Sequence, residues 1–97
     1  MIKKAKAKKF AESQLEKLQT DCPVELAFNL DLTEEYSKGF VFYYNSKEFW
    51  RTRNFAYSVA GNGPIFVYKN NGETVVLPSN QSVEKSIREL FYVEGEA

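Results

Sequence analysis

Residues 60–77 read AGNGPIFVYKNNGETVVL, and the fold turns on them. Ile65, Phe66, Val67 and Tyr68 form one apolar run, and Thr74, Val75, Val76 and Leu77 form a second. Between them stands Asn71-Gly72, a pair that tolerates positive φ and marks a hairpin. Ahead of the first run lies Gly61-Asn62-Gly63-Pro64, which offers almost no side chain to pack. Gly61 and Gly63 admit backbone angles closed to other residues. Pro64 has a fixed φ and no N–H, which suits the first residue of a strand. The segment therefore reads as a tight turn into the sheet. An anion-binding nest of exposed N–H groups is the alternative, but no lysine follows at phosphate-loop spacing.

Toward the N-terminus, residues 40–45 read FVFYYN. Phe40, Phe42 and Tyr44 point one way in a strand, Val41 and Tyr43 the other. A strand apolar on both faces lies centrally or meets a partner. Residues 33–39 form a polar, acidic connection ending in Gly39. Before it, Val24, Leu26, Phe28, Leu30 and Leu32 alternate with Glu25, Ala27, Asn29 and Asp31, which predicts a strand with one wet face. Residues 3–19 lack Gly and Pro, and Ala7, Phe10, Ala11, Leu15 and Leu18 recur at helical spacing. Pro23 closes that helix.

Toward the C-terminus, Ser82 reads as an N-cap, and Val83, Ile87, Leu90 and Phe91 as the stripe of a last helix. Residues 94–97 are expected to fray. Residues 46–60 fit either a short helical turn or a loop crossing the sheet edge. The sum predicts an α+β domain spanning residues 1–97. Its antiparallel sheet has about four strands, with an N-terminal and a C-terminal helix packed on one face.

Composition removes several kinds of chemistry. The 97 residues include no His and one Cys, so Ser-His and Cys-His pairs, His-ligated metals and thiolate zinc sites are excluded. No cofactor, metal site or catalytic step is expected. Formal charge is zero overall, but residues 1–20 hold six Lys against two Glu. A nucleic-acid reading follows from that basic helix, yet basic and aromatic residues do not interleave, and a solvated helix face explains the lysines. The lysines continue past Met1-Ile2 with no apolar run behind them, so neither a signal peptide nor a membrane span is read.

Three pieces together, GFVFYYNSKEF at 39–49, AGNGPIFVYK at 60–69 and NGE at 71–73, resemble the YrhB-like domain, also catalogued as the immunity protein thirty-five family. The resemblance runs over roughly residues 5–92. Members are small bacterial proteins, many encoded beside polymorphic toxins. The resemblance implies a cytoplasmic protein that binds and blocks a cognate protein toxin by occlusion. It also implies an alternative, a small holdase-like chaperone using an exposed apolar sheet face. A homodimer through an edge strand stays open.

Two groups of residues stand out as partner-binding candidates. Trp50, Arg51, Arg53, Phe55 and Tyr57 combine the residue types that dominate interface hot spots. The plainer reading is that Phe49, Trp50 and Phe55 cap the core while the arginines stay wet, and both can hold in part. Glu34, Glu35 and Tyr36 are either a solvated loop or an acidic patch that steers a basic partner.

Overall fold

The computed structural model describes residues 1–59 and 63–91. Helix α1 spans Lys4–Thr20 and α3 spans Val83–Leu90, with a short α2 at Lys47–Thr52 between them. Among the described residues six strands lie between the helices: β1 (Leu26–Phe28), β2 (Glu34–Tyr36), β3 (Gly39–Phe42), β4 (Tyr44–Ser46), β5 (Ile65–Tyr68) and β6 (Thr74–Val76). They form a four-stranded antiparallel sheet in the order β2-β3-β5-β6 and a separate β1-β4 ladder. The α+β class stands.

The helices, however, do not share a face. Phe40 and Phe42 of β3 and Ile65 and Val67 of β5 pack with Ala7 and Ala11 of α1. Val41 and Phe66, pointing the opposite way, pack with Leu77 and Ile87, the latter on α3. The register Phe40↔Val67, Val41↔Phe66, Phe42↔Ile65 keeps each set on its own side. Alternating side chains of a strand go to opposite faces, and here both parities are apolar, so each face needs its own cover. The result is a helix–sheet–helix sandwich with β3 and β5 at its centre. The stripe of α1 is the expected one, and its two alanines let the helix sit close to the sheet.

The β5–β6 hairpin forms where Asn71-Gly72 places it, though with a longer loop than a two-residue turn. Gly72 takes φ +77° and donates its N–H to the Tyr68 carbonyl at 2.9 Å. The Asn71 side chain accepts the Glu73 N–H at 2.9 Å. A Cβ on Gly72 would lie 2.5 Å from the Phe10 ring, so glycine is required there for space as well as for angle.

The glycine-rich lead-in finds its purpose at Gly63. Its N–H donates to the Leu77 carbonyl at 2.9 Å, and the Leu77 N–H donates to the Pro64 carbonyl at 2.8 Å. The lead-in thus extends the hairpin ladder, and a Cβ on Gly63 would collide with the Leu77 carbonyl oxygen. The expectations for Gly61-Asn62 and for the frayed tail lie outside the described residues.

The long strand expected over residues 24–32 is cut short. β1 ends at Phe28, because the Asn29 side chain accepts the Asp31 N–H at 3.2 Å and caps a 3-10 turn over Leu30–Leu32. A short polar side chain offers the backbone an alternative to the ladder. Leu30 and Leu32 end up exposed. The acidic connection is partly a strand: Glu34–Tyr36 pairs with β3 as a charged edge, which discourages edge-to-edge association.

Candidate functional site

The chain leaves β3 at Phe42, passes Tyr43, and enters β4 at Tyr44 with a new partner, β1. Ser46, buried at the end of β4, organises the segment behind it. Its hydroxyl accepts the Phe49 N–H at 3.0 Å, capping α2, and donates to the Tyr57 carbonyl. One hydroxyl thus ties α2 to a second 3-10 turn, Phe55–Tyr57, itself capped by Asn54. Asn45 adds to this, donating to the Ser58 hydroxyl at 3.1 Å and accepting the Val59 N–H at 2.8 Å. Replacing Ser46 with Ala removes a cap and leaves a carbonyl without its donor. The expected cost is about 1–2 kcal/mol, read from a urea titration, with Trp50 fluorescence reporting any loosening of α2.

On this frame the first candidate group is assembled. The Trp50 indole N–H donates to the Ala27 carbonyl of β1 at 2.8 Å, anchoring a half-buried ring. Phe49 makes an edge contact with Trp50 at 5.3 Å and a tilted one with Phe55 at 5.6 Å between centroids. Arg53 ends α2 in the left-handed region at φ 58°, a strained angle for a residue with a side chain, and its guanidinium lies 5.2 Å over the Trp50 ring. Arg51 pairs with Glu48 in solvent; that hydrogen bond lowers the Glu48 carboxyl and raises the guanidinium further. Phe55 is 81% exposed and Tyr57 49%. The two roles weighed for these residues therefore divide: Trp50 is held in place, whereas Phe55 and Tyr57 project.

The second candidate group lies elsewhere, on the β2 edge. Its residues divide by strand parity. Glu35 faces the α1 side and pairs with Lys69 at 2.7 Å; the Lys69 ammonium also lies 5.1 Å from the Phe40 ring centre. Glu34 and Tyr36 face the α3 side. The Glu34 carboxylate accepts the Tyr43 hydroxyl at 2.7 Å and the Tyr36 hydroxyl at 3.3 Å. Burial, then Glu34, pushes both phenols above their ordinary value, Tyr43 far above it. A phenol raised in the fold adds stability that is whole below its ordinary pKa of 10.0 and is lost as pH climbs past it. Unfolding of the native protein should therefore become easier above about pH 10, more steeply than for Tyr43→Phe, by up to about 1.4 kcal/mol per pH unit. Urea midpoints of the two proteins across that range provide the check.

Sequence reading placed Phe49 with Trp50 and put Tyr43, Glu48 and Lys69 at neither site. Tyr43 and Lys69 depend on partners distant in the chain, whereas Glu48 was legible from its helical spacing to Arg51. Among the described residues no helix is long and apolar enough to cross a membrane.

The chain is thus a three-layer α+β body with exposed aromatics on a turn beside a small appended sheet. The sequence model of the Immunity protein 35 family matches residues 5–89, nearly the whole chain, and the protein belongs to that family. No curated protein and no solved structure matches it.

Proposed function

We propose that this chain is a cytoplasmic immunity protein that binds a cognate protein toxin and blocks it by occlusion, with no catalytic step of its own. The observation that carries the reading, beside family membership, is Phe55: a large ring 81% exposed yet fixed on a capped turn between Asn54 and Ser58. A large exposed ring on a capped turn offers a partner an aromatic anchor whose backbone is already ordered. Arg51, Arg53 and Tyr57, all exposed on the same short stretch, add donors suited to an interface rim. At the β2 edge Glu34 supplies negative potential, which speeds encounter with a basic partner, while Glu35 is paired with Lys69 and Tyr36 is a neutral donor. The holdase-like alternative calls for an open apolar sheet face, and α1 and α3 cover the two faces of the larger sheet.

The test is co-expression with the toxin encoded by the adjacent gene. Growth should be restored and a stable complex should co-elute. Failure of both, with both proteins folded, rejects the proposal.

A further inference from the structure

Between α1 and β1 runs a groove of about 580 Å³, lined by Glu12, Leu15, Glu16 and Gln19 on the helix and by Glu25, Leu26 and Phe28 on or beside the strand. β1 belongs to a two-stranded ladder, so among the described residues one of its edges has no neighbouring strand. The ladder bonds Lys47 N–H to Glu25 O and Asn29 N–H to Tyr43 O, so Leu26 and Phe28 turn their peptide edges away from β4 and toward the groove. Gln19 fills part of that edge. Its side-chain oxygen accepts the Leu26 N–H at 2.8 Å and its amide nitrogen donates to the Val24 carbonyl at 2.8 Å. These are the bonds that one residue of an added parallel strand would make. The edge therefore accepts strand-like company, and the fold supplies one residue's worth.

The walls indicate what the rest of that company is. No lysine or arginine lines the groove. Glu12 and Glu16 are exposed and have no ion-pair partner among the described residues, and Glu25 meets Lys47 only loosely, at 3.7 Å. Leu15, Leu26 and Phe28 give an apolar floor. Glu12 and Glu16 are one helical step of four apart, about 6 Å along the axis. Alternate residues of an extended chain are about 6.6 Å apart. Glu25 also borders the neighbouring cavity of about 250 Å³ that Tyr57 lines, which puts the groove beside the aromatic corner.

We infer that this groove receives an extended segment of the partner protein in which Lys or Arg alternates with large apolar residues. Its cations lie along Glu12, Glu16 and Glu25, and its apolar side chains rest on Leu15, Leu26 and Phe28. The partner's being a toxin rests on the function proposed above; the groove's preference for such a segment does not.

The probe is a capped octapeptide of alternating Lys and Leu, titrated into isotope-labelled full-length protein, with Glu-Leu and Lys-Ser peptides as controls. The expected result is saturable shifts at Leu15, Gln19, Leu26 and Phe28 with Lys-Leu alone. Affinity should fall about tenfold in a Glu12→Gln, Glu16→Gln, Glu25→Gln variant, whose three changes are all at exposed positions. Shifts centred on Glu34 and Glu35, equal response to the Glu-Leu peptide, or indifference to the triple variant would overturn the inference. So would concentration-dependent shifts at Leu26 and Phe28 without peptide, which would assign the groove to a second copy. A protein that takes the peptide but fails to rescue cells keeps the groove and loses the toxin reading; rescue without peptide binding does the reverse.

Discussion

Phe55→Ala should abolish protection at working concentrations while leaving the protein folded. Truncating a central aromatic anchor costs about 2–4 kcal/mol of binding, a loss of roughly 30- to 1000-fold in affinity. The folded state should hardly notice. The ring is 81% exposed and makes a tilted contact with Phe49, so the change in unfolding free energy should stay within about 0.5 kcal/mol. That separation makes the experiment decisive. Calorimetry against the neighbour-encoded toxin, paired with a urea titration of the free variant, reads both quantities. Trp50→Ala is a poorer probe, because it also removes the indole bond to Ala27 and the seat of Arg53. Unchanged affinity in Phe55→Ala, with rescue intact, would move the interface away from this turn.

Phe66→Ala should do the opposite, destroying stability wherever the partner binds. Phe66 is fully buried at the centre of β5. It faces α3 and makes edge contacts with Tyr68 at 5.1 Å and Phe91 at 6.0 Å, while Tyr68 and Phe91 meet each other at 5.4 Å. Removing it opens a cavity in the layer that holds the last helix. Such truncations cost about 3–5 kcal/mol. In a domain of this size that lowers Tm by at least about 12 °C and can consume most of the native stability. A thermal melt by circular dichroism measures it, with Phe66→Leu retaining much of the loss. A fall under about 1 kcal/mol would mean that α3 is not seated as described.

The parts legible in the sequence are those decided locally. Gly72 announced its turn because few residues other than glycine tolerate that φ. The α1 stripe was legible because five apolar residues recur on one side of seventeen helical ones. Ser82 was legible because its hydroxyl acts three residues away, on the Lys85 N–H. What was misread depends on competition or on distant partners. Leu30 and Leu32 continue the alternation of β1, yet the Asn29 side chain wins the backbone. The sharing of faces was misjudged although the signal was present: Val41 and Phe66 are as apolar as their neighbours of opposite parity and demanded a second cover. Of the candidate residues, Trp50, Arg51, Arg53, Phe55 and Tyr57 do gather on one corner of the molecule. Their division into anchors and projections hangs on Ala27 and Ser46, which no local pattern links to them.

One covalent run, Gly39–Ser46, serves the central sheet through its first half and the outlying ladder through its second. The projecting aromatic corner is thus not hinged on a slack tether; it is the stiff continuation of the most deeply buried strand. Docking there would freeze little that was previously free, so less of the contact energy is consumed in ordering and more is left as affinity. The same rigidity limits adaptability: a corner held in one attitude fits one partner shape, and fitting another calls for changes in the side chains themselves.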